Sequence, residues 1–265
     1  MDLLGKRVLL TGASAGIGAE LAAQLAEAGA RQVLAARRAD KLGEVAARVR
    51  ALKGEAHEVL ADVANPADCK RLIEESIAKL GGLDLLLLNA GISMNELFAE
   101  VKELSIFDKL MATNYFGPVH LTHHALPALL ASHGKIAVVS SLAAKSALPT
   151  RTGYCASKHA VHGFFDSLRA EMLPKGVSVT LICPGAVETG IREVSKAEGR
   201  GSAAPEDVGS GQMMTAAECA RQSLEAIRKD KRELLMTLPG KLAPWVRMIA
   251  PGFIDRALLK RMGLV

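Results

Sequence analysis

The feature of this sequence that most restricts its fold is the alternation of short apolar runs with longer amphipathic stretches. The short runs are apolar throughout, which is typical of strands covered on both faces. Strand and helix patterns that alternate in this way indicate a parallel sheet between layers of helices. We therefore predict an α/β fold, a Rossmann-type doubly wound parallel sheet of about seven strands, in a single domain over residues 1–238. The predicted strands are Arg7–Thr11, Gln32–Ala36, Glu58–Ala61, Leu83–Asn89, Lys135–Ser140, Ser178–Cys183 and Arg232–Met236, and the predicted helices are Ile17–Ala28, Asp40–Leu52, Pro66–Leu80, Ile106–Ser132, Thr152–Leu173 and Ala216–Lys229.

A glycine-rich turn, Thr11-Gly-Ala-Ser-Ala-Gly-Ile-Gly18, joins the first predicted strand to the first helix. Glycines in this setting permit a tight turn, close approach of the backbone to a pyrophosphate, and packing of the helix on the strand. The amides and the dipole of the helix N-terminus favour phosphate. The alternative is a merely structural turn. As a dinucleotide site, the turn would supply contacts from Gly12, Ser14, Gly16, Ile17 and Gly18.

The end of the second predicted strand bears on which dinucleotide is bound. Sites that prefer NAD usually have an acidic residue here, whereas this chain has Ala36 followed by Arg37 and Arg38. Arginine can bind a 2′-phosphate through two hydrogen bonds. We therefore predict NADP(H) in preference to NAD(H). The alternative for either arginine is a solvated loop charge.

Short motifs that contain a polar residue or small residues follow the third and fourth predicted strands. Asp62-Val63 follows the third strand, where the Asp62 carboxylate could accept from the adenine amine. Its alternative role is a helix N-cap, which Asn65 fills more naturally before Pro66. In Asn89-Ala90-Gly91 the small residues let the chain pass close to a cofactor, and Asn89 could equally tie neighbouring strand ends together.

Tyr154 and Lys158 are one helical turn apart, and so lie on the same face of a helix. A nearby ammonium stabilises a phenolate and lowers the tyrosine pKa from its ordinary value of about 10. Such a tyrosine can exchange a proton with an alcohol or a carbonyl oxygen. The alternative is an incidental pair on a helix surface.

Together with Asn114, Ser141 and Pro184-Gly185, these motifs make the chain resemble the short-chain dehydrogenase/reductase family over roughly residues 5–240. Within the family, the segment from Val138 to Phe165 is most similar to hydroxysteroid dehydrogenases and their relatives.

The resemblance implies a catalytic tetrad of Asn114, Ser141, Tyr154 and Lys158. Tyr154 would be the acid/base, Lys158 would lower its pKa and hold the nicotinamide ribose, and Ser141 would fix the substrate oxygen. Asn114 would hold a water that relays protons. Neighbouring strand residues point to opposite faces, so Ser140 is expected to be a structural hydroxyl bonded to backbone. Further cofactor contacts are expected from Pro184, Gly185, Val187 and Thr189.

A lid and an apolar pocket are expected beyond the last of these motifs. Residues 188–214 include a stretch rich in Gly, Ser, Ala and charge, which is typical of a mobile substrate lid. An apolar pocket predicts that the substrate is a lipophilic ketone, aldehyde or secondary alcohol. A hydroxysteroid-like or long-chain substrate is expected. The alternatives are a 3-oxoacyl-thioester reductase and a non-catalytic cofactor-sensing or membrane-tethered binding protein. The predicted pocket residues are Ser141, Leu142, Leu148, Tyr154, Ile191, Met213 and Met214.

The C-terminal tail, residues 239–265, departs from the family pattern. Five prolines and glycines (Pro239, Gly240, Pro244, Pro251 and Gly252) are expected to break it into short amphipathic pieces. Its five basic residues and one acidic residue supply +4 of the formal net charge of +5, so the body is nearly neutral. The tail could contact a membrane surface, pack on a partner subunit or cover the pocket.

The remaining expectations concern partners and location. Aromatic residues are only 3% of the chain, which argues against nucleic-acid binding. The long apolar helices favour a homodimer or homotetramer, as in the family. Four scattered cysteines, no predicted signal peptide and no apolar run of 18 residues favour a cytoplasmic protein. We predict no metal site.

Overall fold

The computed structural model describes residues 1–189, 213–261 and 263, and within them seven strands form one sheet. Every neighbouring pair of strands is parallel. The predicted doubly wound α/β fold is confirmed. The strands are β1 (Arg7–Thr11), β2 (Arg31–Ala36), β3 (Glu55–Leu60), β4 (Leu85–Leu88), β5 (Lys135–Val139), β6 (Ser178–Cys183) and β7 (Glu233–Leu235).

The strand order fixes where a ligand can bind. The sheet runs β3-β2-β1-β4-β5-β6-β7, so the chain builds outward from β1 in one direction and then crosses back to continue on its other side. The crevice between the carboxyl ends of β1 and β4 is therefore the switch point of the topology. Open α/β sheets bind their ligands in this crevice.

The helices form two layers that cover the sheet, each with its own apolar core. Helices α1, α2 and α7 contribute to one core, and α3, α5 and α6 contribute to the other, in which Phe165 is fully buried. The helices are α1 (Gly16–Glu27), α2 (Ala39–Ala51), α3 (Pro66–Leu80), α4 (Ser105–Met111), α5 (Gly117–Ser132), α6 (Thr152–Met172), α7 (Ala216–Arg228), α8 (Leu238–Ile249) and α9 (Pro251–Arg261).

One predicted helix contains an irregularity. The segment predicted as Ile106–Ser132 is helical throughout, but a π-helical turn over Ala112–Phe116 separates α4 from α5. A π turn inserts one residue into the helix and is frequent at functional sites. Asn114 lies in this turn and is 1% exposed.

The tail is more regular than its sequence predicts. The expected breaks at Pro239, Gly240 and Pro244 are wrong, because α8 begins at Leu238 and continues to Ile249. Pro239 stands in the first helical turn, where a missing N–H costs no intrahelical bond. The helix ends where predicted, before Pro251, but the break expected at Gly252 is wrong, because Gly252 lies in the first turn of α9. No helix in the described part of the chain is long and apolar enough to cross a membrane.

Candidate active site

A cleft of about 850 Å³ opens along the carboxyl ends of the strands, from the N-terminus of α1 to that of α6. Every predicted cofactor contact except Gly18 lines it. Those that do are Gly12, Ser14, Gly16, Ile17, Arg37, Arg38, Asp62, Val63, Asn89, Ala90, Gly91, Tyr154, Lys158, Pro184, Gly185, Val187 and Thr189.

The glycine turn borders the cleft and packs closely against the end of β4 and the start of α1. Gly12 has a φ of +64°, and a Cβ there would lie 2.7 Å from the Ala90 Cα. A Cβ on Gly18 would collide with the Gly12 carbonyl oxygen, so Gly18 allows α1 to pack on the turn and does not line the cleft. No side chain caps α1. Its first-turn amides therefore lack a side-chain acceptor and lie at the cleft, where phosphate can accept from them.

Asn89 ties two strand ends together, as one of its two predicted roles required. Its side-chain amide donates to the carbonyl oxygens of Thr11 (3.2 Å) and Gly12 (3.0 Å). In return the Thr11 hydroxyl accepts from the backbone amides of Asn89 and Ala90. This network holds the end of β4 beside the glycine turn.

The basic end of the cleft lies beyond β2. Arg37 Nη1 is 4.0 Å from the Asp62 carboxylate, and both side chains are about half exposed. Asp62 also accepts from the Ala64 amide at 3.0 Å, whereas Asn65 caps α3, as predicted. Lys41 lines the same end. Sequence reasoning missed it, although its position three residues after Arg38 in the first turn of α2 places it on the same side.

Ser141 and Tyr154 meet at the opposite end of the cleft. Interaction with the Ser141 side chain lowers the pKa of Tyr154, and the Arg151 charge also lowers it. Burial outweighs both, so the pKa of Tyr154 is raised overall. The prediction of a net lowering by Lys158 was wrong, because the Lys158 ammonium lies 5.8 Å from the ring centroid and desolvation dominates.

Ser141, and not its neighbour Ser140, is the serine whose side chain acts on the pKa of Tyr154. The Ser141 hydroxyl also accepts from the Ala143 amide at 3.1 Å. Ser140 lines the cleft too, but its buried hydroxyl has no hydrogen-bond partner among the described residues. The predicted bond from the Ser140 hydroxyl to backbone is therefore wrong.

Lys158 is a buried cation behind Tyr154. It is 6% exposed and donates to the Val139 carbonyl oxygen at 3.1 Å, and burial lowers its pKa to about 8. Asn114 does not line the cleft. Its side chain accepts from the Ile92 amide (2.8 Å) and donates to the Ile92 carbonyl (2.9 Å) and to Ser157 (2.9 Å). The π turn thus fixes the chain after β4 against α6.

The predicted substrate pocket is only partly assembled. Leu142 and Leu148 line the cleft beside Tyr154. Met213 and Met214 do not line it; Met213 is exposed, and the backbone of Met214 pairs with Ala186 and Glu188. Ile191 and residues 190–212 of the predicted lid lie outside the described residues.

Arg151 was not expected in this wall from the sequence, whereas a tail that covers the pocket was one of the three interpretations of residues 239–265. Arg151 lines the cleft and donates to the Ser93 hydroxyl at 3.3 Å. The start of the tail also lies here, since a Cβ added to Gly240 would lie 2.5 Å from the Leu142 side chain. Position i−3 to Tyr154 is the signal that could have found Arg151.

A switch-point cleft with a glycine turn at one end and a Ser–Tyr pair backed by lysine at the other defines a dinucleotide-binding oxidoreductase. The sequence profile of the family described as short chain dehydrogenase matches residues 6–199. The chain belongs to this family.

Named relatives support the same conclusion. A "Dehydrogenase/reductase SDR family protein 7-like" from Dictyostelium discoideum is 36% identical, over 94% of this chain and 79% of its own length. "Dehydrogenase/reductase SDR family member 7B" from Mus musculus is 35% identical, over 96% and 80%. An "11-beta-hydroxysteroid dehydrogenase-like 4A" from Arabidopsis thaliana is 43% identical over 70% of this chain, which covers 62% of that protein.

A solved structure has the same fold. A short chain dehydrogenase/reductase from Burkholderia phymatum, in complex with NAD, matches with a TM-score of 0.84 at 26% identity over 96% of both chains.

Proposed function

We propose that the protein is an NADP(H)-dependent oxidoreductase that interconverts an apolar ketone or aldehyde and an alcohol. The observation that carries this proposal is that Ser141 and Tyr154 stand together in the wall of a dinucleotide-sized cleft, with the buried Lys158 behind them. The membership of the chain in an oxidoreductase family supports the same reaction class.

The donor groups in the cleft fit a nicotinamide dinucleotide phosphate. The N-terminus of α1 offers amides to a pyrophosphate. Arg37, with Arg38 and Lys41 beside it, offers cations to a 2′-phosphate, and Asp62 offers a carboxylate to an adenine amine. Lys158 offers an ammonium at the ribose end. When bound, the cofactor supplies or accepts the hydride.

The chain's own residues handle the proton. Ser141 donates to the substrate oxygen and orients it toward Tyr154. The Tyr154 hydroxyl gives its proton to that oxygen in reduction and takes it back in oxidation. Because burial raises the pKa of Tyr154, the protein favours the protonated phenol, the form needed for reduction. Asn114 keeps Ile92 and the following chain in place through its paired bonds.

An apolar substrate is supported by Leu142 and Leu148 in the cleft wall and by the names of the hydroxysteroid dehydrogenase-like relatives. Arg151 adds one cation to this wall. A lipophilic ketone with a polar group within reach of Arg151 fits both features.

The tail is proposed as an interfacial segment. Its start covers the pocket wall at Leu142, whereas Trp245, Met248, Ile249 and Phe253 are strongly exposed. Basic residues flank them. We propose that this face contacts a membrane surface or a second subunit of a homodimer or homotetramer. Liposome flotation detects membrane contact and light scattering detects a second subunit, and the double variant with Trp245→Ala and Ile249→Ser should lose whichever of the two the wild type shows.

The four cysteines are buried and free, which supports the proposed cytoplasmic location.

The activity is tested with a panel of lipophilic ketones and alcohols against NADPH, NADP, NADH and NAD. Tyr154→Phe should lower kcat by at least about 100-fold, with cofactor binding retained. Tyr115→Phe is the matched control, because Tyr115 packs against Phe116 and Phe164 away from the cleft. Full turnover by Tyr154→Phe would refute the assignment.

A further inference from the structure

A second cluster of chemically active side chains lies outside the cleft, at the junction of α6, β6 and β7. Cys183 Sγ is 3.5 Å from His162 Nε2 and 3.8 Å from Glu233 Oε1. The ligand atoms of the three residues all lie within 4.8 Å of one another. None of the three lines the cleft.

These separations suit one metal ion. Thiolate, imidazole and carboxylate are the ligands that Zn²⁺ takes in proteins. A tetrahedral ion with bonds of about 2.3 Å to sulfur and about 2.05 Å to nitrogen places those two atoms about 3.5 Å apart. The observed sulfur–nitrogen separation is 3.5 Å. The ligand atoms therefore need little rearrangement to surround a cation.

Without a bound ion, the imidazole of His162 lacks a hydrogen-bond partner for one of its two nitrogens. His162 is 6% exposed, and its Nδ1 has no hydrogen-bond partner among the described residues. This nitrogen faces Glu233 Oε1 at 3.6 Å, beyond hydrogen-bond distance. Each ring nitrogen thus points at another member of the cluster. A buried polar nitrogen without a partner costs stability. Coordination of an ion at Nε2 would leave the proton on Nδ1, which faces the Glu233 carboxylate as a donor.

Lys145 marks the route by which an ion could enter. Its ammonium lies 2.7 Å from Glu233 Oε1, and the two side chains are 25% and 26% exposed. A carboxylate has two oxygens and accepts several partners. Lys145 can keep one of them or move into solvent while a cation takes another.

We propose that His162, Cys183 and Glu233 form a binding site for a thiol-binding divalent cation of the Zn²⁺ class, with a fourth position open to water. Coordination releases the Cys183 thiol proton to solvent. The ion would join β7 to two elements that carry the candidate active site, because His162 is one helical turn after Lys158 and Cys183 precedes Pro184. Its role would be to stiffen the support of the cleft.

The test is a Co²⁺ titration of the full-length protein after treatment with a chelator, followed by displacement with Zn²⁺. We expect one equivalent of tetrahedral cobalt with a thiolate-to-cobalt charge-transfer band. Cys183→Ser should abolish this band, and His162→Gln should weaken Co²⁺ binding by at least about tenfold. Cys219→Ser is the control, because the buried Cys219 contacts Met236 and lies outside the cluster.

A wild-type spectrum without the band, or a band that persists in Cys183→Ser, overturns the proposal. If the buried variants fail to fold, Glu233→Gln decides, since Glu233 is partly exposed. The thermal midpoint of the wild type should rise with Zn²⁺ concentration and that of Glu233→Gln should rise less. Equal midpoint shifts in both proteins also overturn it. These readouts are independent of turnover, so they do not depend on the proposed function.

Discussion

Arg37→Ala should separate the two nicotinamide cofactors. In the protein, the Arg37 guanidinium lies 4.0 Å from the Asp62 carboxylate, and the two side chains are 53% and 42% exposed. An exposed pair of this kind contributes about 0–1 kcal/mol to the free energy of unfolding, so the variant should fold normally. Charge-assisted hydrogen bonds to a 2′-phosphate contribute about 1.5–3 kcal/mol to binding.

This loss corresponds to a Kd for NADPH that is weaker by about 10- to 150-fold. The Kd for NADH, which lacks the phosphate, should be unchanged. Nucleotide fluorescence titration measures both constants, and kcat/KM with each cofactor should follow them. The control is Arg48→Ala, which removes an equally exposed arginine of α2 that pairs with Glu20 outside the cleft. Equal loss of affinity for both cofactors, or no loss for either, would refute the assigned role of Arg37.

Three further changes test the site. Arg151→Met removes a positive charge that lowers the pKa of Tyr154, so the rise of kcat/KM with pH in alcohol oxidation should move to higher pH; a shift to lower pH contradicts the argument. Lys158→Met should raise the thermal midpoint. Burial lowers the pKa of Lys158 from 10.5 to about 8, so the cost of burying its charge is complete below pH 8 and disappears above about pH 10.5; the gain must therefore be larger at pH 7 than at pH 10. Gly240→Ala places a Cβ 2.5 Å from Leu142 and should raise KM for a bulky ketone about fivefold through about 1 kcal/mol of overpacking, while KM for NADPH stays constant.

Most of the frame of this protein could be predicted from local patterns. The bounds of β1, β6 and α3 agree with the prediction to the residue, because the strands are short, mainly apolar runs and the helix is marked by a cap and a proline. Asn65 is such a cap, and it accepts from the Ala67 amide as expected. All but one of the predicted cofactor contacts line a single cleft, because most of them stand at strand ends, which a parallel sheet gathers on one edge.

The electrostatics of the reacting centre could not be predicted in the same way. The spacing of Tyr154 and Lys158 indicated a lowered phenol pKa, yet burial raises it. Spacing along a helix specifies which charges are neighbours, but desolvation depends on everything packed around them. The π turn at Asn114 escaped prediction for a similar reason, since its paired bonds with Ile92 come from another part of the chain.

By itself, the sequence determined the sheet, its covering helices and the edge at which a dinucleotide can bind, because these follow from local periodicity and from the glycines that the first turn requires. Only the tertiary structure decided which distant side chains meet. It placed Arg151 on the cleft wall and Gly240 against the wall residue Leu142, and it left Met213 and Met214 off that wall. It also joined His162, Cys183 and Glu233 from three separate elements. These contacts between distant residues depend on how the helices pack on the sheet, and local sequence patterns do not predict them.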